Sequence, residues 1–218
     1  MMSEMEVGTM VESVPKVFVV DDDEAMCESV QWLLESEGLA AVTFDSAEAF
    51  LEAYTPTQPG CLVLDVRMRG MSGLDLHAKL VEEGIAIPVI IITGHGDVPM
   101  AVRAVKAGVV DFLEKPVHDQ VLLEKIRQAL ERDAHTRREL EERRVAAEHL
   151  ASLTPRERQV LELVVAGRAN KQVAAQLRIA EKTVEVHRKR VMQKMEVHNV
   201  VDLVRAVMTA KGQRKTSA

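Results

Sequence analysis

The sequence predicts an α/β domain, a parallel sheet with helices on both faces, followed by a small all-helical domain. Three observations carry this. Strand-like runs at 17–20, 41–44, 61–64, 89–92 and 109–114 alternate with segments of helical spacing, the pattern of a parallel sheet buried on both faces. Chemistry gathers at the ends of four of these runs: Asp21, Asp22 and Asp23, then Asp65, then Thr93, then Lys115 before Pro116. Beyond about residue 151 the strand-like runs stop, and helical periodicity and basic charge take over.

Each element has its own signal. The run Val17-Phe18-Val19-Val20 leads into a helix at about 24–37, where Met26, Val30, Leu33 and Leu34 recur at helical spacing and Gly38 gives a stop. A short strand at Ala41-Val42-Thr43-Phe44 precedes Ser46, an N-cap for a helix with the apolar face Ala49, Phe50 and Ala53. Pro59-Gly60 opens the run that ends at Asp65. A turn region ending at Gly73 and a helix at about 74–83 follow. After Val89-Ile90-Ile91-Ile92-Thr93, Asp97 and Pro99 start a helix carrying Ala101, Val102 and Val105, which ends at Gly108. The connections are long enough for crossovers, so the strands are expected to be parallel.

From about 118 a helix is expected to bury Val121, Leu122, Ile126 and Leu130. It runs on through 131–149, a densely charged stretch without Gly or Pro. That stretch reads as a solvated spacer stiffened by ion pairs, about 45–50 Å long if continuous from 118. A coiled-coil seam through Leu123, Ile126, Leu130, Leu140 and Ala147 is the alternative, but Asp133, Arg137 and Arg144 share its row. Then Thr154-Pro155-Arg156-Glu157 has the form of a capping box, and Val160, Leu161, Leu163 and Val164 form an apolar face ending at Gly167. The expected divisions are a disordered tail at 1–15, an α/β domain at 16–130, a helical linker at 131–150 and a helical domain at 151–218.

Composition narrows the function. At 218 residues the chain is comfortable for two domains. No apolar stretch approaches the ~20 residues of a membrane span, and the acidic start is not a secretory signal. Cys27 and Cys61 lack metal spacing and read as buried thiols of a cytoplasmic protein. Aromatic residues make up only 3%, which argues against stacking platforms for single-stranded nucleic acid. Charge divides sharply. Residues 151–218 hold 14 Lys and Arg against 6 Asp and Glu, leaving 14 against 28 in the other 150, so a net +8 follows a net −14. Only the second part is suited to meet a polyanion.

Three of the strand-end carboxylates, with a hydroxyl and an ammonium, are expected to converge on one crevice. Clustered carboxylates repel unless a cation joins them, and Mg²⁺ suits such an oxygen set. An Asp carboxylate can also attack phosphorus to give an acyl phosphate. Each fragment alone could be an ordinary strand-end turn; four of them in this order are not a coincidence. In the basic part, 170–177 reads as a short helix, Arg178-Ile179-Ala180 as a tight turn, and Glu181 as the start of a cationic helix with Val184, Val191 and Met195 on its inner face. This is helix-turn-helix spacing, with the second helix suited to the major groove. An ordinary helical bundle with a solvated basic face is the competing reading.

Residues 17–130 resemble the receiver domain of two-component response regulators. The match lies in Val19-Val20-Asp21-Asp22, Leu64-Asp65-Val66-Arg67-Met68, Thr93-Gly94 and Glu114-Lys115-Pro116. The resemblance implies a flavodoxin-like sheet of order 2-1-3-4-5 and a cis bond before Pro116. It also implies that Asp65 accepts phosphate from a sensor histidine kinase, assisted by Thr93 and Lys115. Mg²⁺ would be held by Asp21, Asp22, Asp65 and the backbone carbonyl of Arg67, with Asp23 in a lesser role. Thr93 and Phe112 would form the switch pair. Arg69 departs from the family, which usually has Pro there.

The run from Leu153-Thr154-Pro155-Arg156-Glu157 to Thr183-Val184-Glu185-Val186-His187 resembles the LuxR/FixJ/NarL-type DNA-binding domain. Gly94-His95-Gly96-Asp97-Val98-Pro99-Met100 points to the FixJ branch. Glu185, Val186 and Lys189 are then the expected base readers, and Lys171, Lys182, Arg188, Arg190 and Lys194 the expected phosphate contacts. His187 is expected to pack or to touch phosphate. The final helix, with Val200, Val201, Leu203, Val204 and Val207, is expected to pair two DNA-bound copies. Double-stranded DNA, RNA polymerase and, on phosphorylation, a second copy are the implied partners. A haloacid-dehalogenase-type phosphatase would need an Asp where Arg67 stands, and no phosphate-binding Gly-rich Lys-Ser/Thr loop occurs. An RNA-binding or protein-interaction module is the third reading, separable by duplex-specific, salt-dependent binding.

Overall fold

The computed structural model describes residues 14–94 and 98–212. Five strands and nine helices are described among them. β1 (Lys16–Val20), α1 (Glu24–Ser36), β2 (Ala40–Phe44), α2 (Ala47–Ala53), β3 (Gly60–Asp65), α3 (Gly73–Glu82), β4 (Val89–Thr93), α4 (Val98–Lys106) and β5 (Asp111–Glu114) alternate strictly. All neighbours pair in parallel, in the order β2-β1-β3-β4-β5. The 2-1-3-4-5 order implied by the resemblance is the one observed.

Side chains alternate across a strand, so each central strand feeds two cores. Phe18, Val20, Leu62, Leu64, Val89 and Ile91 pack with Phe50 of α2, Leu76 and Leu80 of α3, and Ala104 of α4. Val17, Val19, Cys61, Val63, Ile90 and Ile92 pack on the other face against α1 and α5 (Asp119–Ala151). β2 at the edge is half-buried throughout. Asp23, Ser46 and Ser72 cap α1, α2 and α3 through their side-chain oxygens. Asp97, the expected cap of α4, lies outside the described residues, as do residues 1–13 of the expected tail.

Three expectations are corrected. Val121 is 39% exposed, because the stripe of α5 that meets the sheet runs through Leu122, Leu123, Ile126 and Ala129. Ala53 is exposed, and Tyr54 is buried beyond it, stacked on Phe50. The stretch from 131 is not solvated throughout. Asp133 is buried and accepts from the Gly60 amide at 2.9 Å. Arg137 donates to Asp133 and to the carbonyls of Pro56, Thr57 and Gln58. Two charges that read as spacer thus belong to the packing of the first unit. Further on, Arg144 pairs with Glu141 and Glu148, as expected for a helix stiffened by ion pairs.

The chain divides into two compact units between Arg137 and Arg138. In the second, α6 (Pro155–Val165), α7 (Asn170–Leu177), α8 (Glu181–Lys194) and α9 (Val200–Ala210) surround Val160, Leu161, Val173, Val184, Val191, Met195 and Leu203. The capping box of α6 forms: the Glu157 amide donates to Thr154 Oγ1, and the Thr154 amide donates to Glu157 Oε2 at 2.9 Å. Arg178 takes the left-handed conformation that closes the turn between α7 and α8. No helix among the described residues is long and apolar enough to cross a membrane.

Candidate functional site

The carboxyl ends of β1 and β3 place Asp21 and Asp65 side by side, each 6% exposed. Lys115, just past β5, sends its ammonium between them, 2.7 Å from Asp21 Oδ2 and 2.9 Å from Asp65 Oδ1. Burial pulls the Lys115 pKa down, but hydrogen bonds and charge from both carboxylates outweigh it and leave it raised. The Lys115–Pro116 peptide is cis, and the Lys115 amide donates to the Thr93 carbonyl at 2.9 Å. Thr93 closes β4 and is fully buried. Phe112 is half-buried on β5, two residues before Glu114, the register partner of Thr93, so Thr93 and Phe112 share a face of the sheet.

Backbone amides complete the crevice. Arg67 donates to Asp65 Oδ2 at 2.6 Å, and Asp23 donates to Asp21 Oδ1 at 3.0 Å. The Asp23 carboxylate accepts from Ala25 and Met26, so its lesser role is that of helix cap. Gly73 was legible only as a turn, yet a Cβ there would lie 2.1 Å from the Asp65 carbonyl oxygen. Glycine therefore lets α3 start against the strand end. Cys27, under the crevice, donates to the Asp21 carbonyl, and burial pushes its thiol pKa up.

For a divalent ion the donor chemistry fits: Asp21, Asp22 and Asp65 are hard oxygen donors at adjoining strand ends. Among the described residues, no three acidic, His or Cys side chains are gathered as a metal cluster. Lys115 holds two of the carboxylates, and Asp22 faces Arg69.

In the second unit, α7, the turn and α8 form the expected helix-turn-helix. Val184, Val191 and Met195 are buried. Lys182, Glu185, Val186 and Lys189 are exposed and fall at i, i+3, i+4 and i+7, on one face of α8. Lys171 and Arg190 are exposed as well. Lys182 pairs with Glu185 at 2.7 Å. Two expected phosphate contacts have other partners. Arg188 is half-buried and donates to Asn170 Oδ1 at 2.8 Å, tying α8 to α7. Lys194 donates to Glu157 Oε2 at 2.8 Å and to the Ser152 carbonyl at 3.0 Å. Glu157 is buried, and its carboxyl pKa is held down to about 2 by Lys194 first and the Thr154 amide second. Lys194 thus ties the end of α8 to the start of α6. His187 is half-buried, with its Nδ1 unpartnered among the described residues.

Family models match both units. The response regulator receiver domain covers residues 17–127, and the model of bacterial regulatory proteins of the luxR family covers 151–207. The transcriptional regulatory protein FixJ of Azorhizobium caulinodans is 48% identical over 201 residues, 92% of this chain and 95% of its own length. The chain belongs to the FixJ-type response regulators. The response regulator protein TodT of Pseudomonas putida is 46% identical over 195 residues, covering 89% of this chain and 86% of TodT. Among solved structures, the response regulator StyR superposes with a TM-score of 0.84 at 48% identity, over 89% of this chain and 98% of its own. A receiver joined to a LuxR-type domain makes this FixJ-type chain a transcriptional response regulator with a kinase and DNA as partner classes.

Proposed function

We propose that Asp65 accepts a phosphoryl group from a sensor histidine kinase and that this modification promotes dimerisation and promoter binding through α8. The observation that carries the proposal is Lys115, whose ammonium spans Asp21 and Asp65. An Asp65 oxygen would attack the phosphorus of a phosphohistidine. The new P–O bond forms as the P–N bond breaks, and the imidazole leaves with a proton from solvent, giving an acyl phosphate. Lys115 balances the added charge, and the Thr93 hydroxyl donates to a phosphoryl oxygen. Asp21, Asp22, Asp65 and the Arg67 carbonyl would hold Mg²⁺, which supplies positive charge to the phosphoryl oxygens when bound. Inward movement of Thr93 opens space for Phe112 and biases a dimer-competent state.

On DNA, Glu185, Val186 and Lys189 are the proposed base readers, with Lys171, Lys182 and Arg190 on phosphates. Two copies paired through α9 would present paired half-sites and recruit RNA polymerase in the cytoplasm. The test is acetyl phosphate with Mg²⁺, read by intact mass. Wild-type protein is expected to gain one phosphoryl group and Asp65→Asn none; equal uptake by Asp65→Asn would overturn the assignment.

A further inference from the structure

We infer that Arg69 is a built-in counter-cation for Asp22 that competes with a divalent ion for the crevice. The inference rests on the reading that these carboxylates hold such an ion. Three carboxylates meet two fixed cations. Lys115 takes one oxygen of Asp21 and one of Asp65, and Arg69 takes Asp22. The Arg69 amide and its Nε both donate to Asp22 Oδ2, at 3.2 and 3.3 Å. A proline at this position could supply neither bond.

The loop that carries Arg69 is itself placed. Glu48 Oε1 on α2 accepts from the Met71 amide at 3.3 Å, and Gly70 between them has φ +79°. A Cβ at Gly70 would stand 3.2 Å from the same Glu48 oxygen. Beside this loop lies an open cleft of about 540 Å³, lined by Asp21, Asp22, Glu24, Asp45 and Arg69 among others. Its acidic walls draw cations in, and Arg69 is the cation already there. The Arg69 side chain is 89% exposed, so the guanidinium can swing into water at little cost when a divalent ion takes Asp22. An incoming ion must break this pair and meets one extra positive charge. Affinity in this chain is therefore lower than the carboxylates alone would give.

The test is calorimetric titration of the full chain with MgCl₂ at low ionic strength. Arg69→Ala and Arg69→Gln are expected to bind about two- to fivefold more tightly than wild type, the scale of one surface ion pair. Arg69→Lys, which keeps the charge, is expected to stay near wild type. Circular dichroism checks that each variant is folded. Wild-type affinity in both neutral variants, or tightening by Arg69→Lys equal to that of Arg69→Ala, would overturn the inference while leaving the divalent site intact. Absence of Mg²⁺ binding in wild type and all variants would instead remove the divalent reading and the inference with it. Asp65→Asn is expected to lose binding and serves as the control.

Discussion

Lys115 in the acidic crevice and Lys194 at the end of α8 make nearly the same contacts. Each ammonium sits between two oxygens, at 2.7 and 2.9 Å for Lys115 and at 2.8 and 3.0 Å for Lys194. Their partners differ. All three carboxylates also accept a backbone amide, but Glu157 is a single carboxylate and the Ser152 carbonyl is neutral, so the charge at Lys194 balances. Lys115 joins two carboxylates that repel each other at the open end of a sheet. Removing the ammonium there leaves charge that must find another cation. The same contact balances charge at Lys194 and leaves a net negative charge at Lys115.

Matched substitutions sharpen the contrast. Lys115→Met is expected to lower phosphoryl uptake from acetyl phosphate about hundredfold, the usual scale for removing one preorganised charge at a reacting group. Single-turnover mass measurements would show it, and unchanged uptake would break the comparison. Lys194→Met is expected to leave uptake alone and to destabilise the second unit by about 3 kcal/mol, because the buried Glu157 loses its counter-ion. Urea unfolding followed by circular dichroism measures this.

The pH dependence carries a sign. The Glu157 carboxyl is near 2 in the folded chain and 4.5 in its ordinary state. A depressed pKa contributes stability above the ordinary value and loses it as pH falls through the folded one. The acid limb of the second unit should therefore lie between about pH 5 and 2 and flatten in Glu157→Gln. Asp133→Asn tests the far end of β3, where the Gly60 amide and Arg137 meet one carboxylate. A loss of about 2 kcal/mol is expected in the receiver unit, with uptake retained. Lys182→Ala has the smallest expected effect: unchanged stability and a loss of about 1 from the salt slope of duplex binding.

The receiver was legible because parallel strands buried on both faces read as apolar runs and leave their chemistry at the ends. Asp21, Asp22, Asp65, Thr93 and Lys115 could be picked out on that ground, before any distance was known. Asp133 and Arg137 could not, because they sit in a run of charges and meet Gly60 and residues 56–58 from more than seventy positions away. Lys194 was illegible for a related reason. On a cationic helix nothing local separates the lysine that turns inward, and its partner Glu157 lies 37 residues earlier. Gly73 gave only a turn signal, since its close approach to Asp65 exists only once α3 is docked.

The link from crevice to recognition helix is tested most directly by fluorescence anisotropy on a duplex selected by the protein from a random pool. Binding is measured with and without acetyl phosphate and Mg²⁺, for wild type and Asp65→Asn. Tighter binding on phosphorylation in wild type alone is expected. Equal tightening in Asp65→Asn would contradict the control of α8 by Asp65.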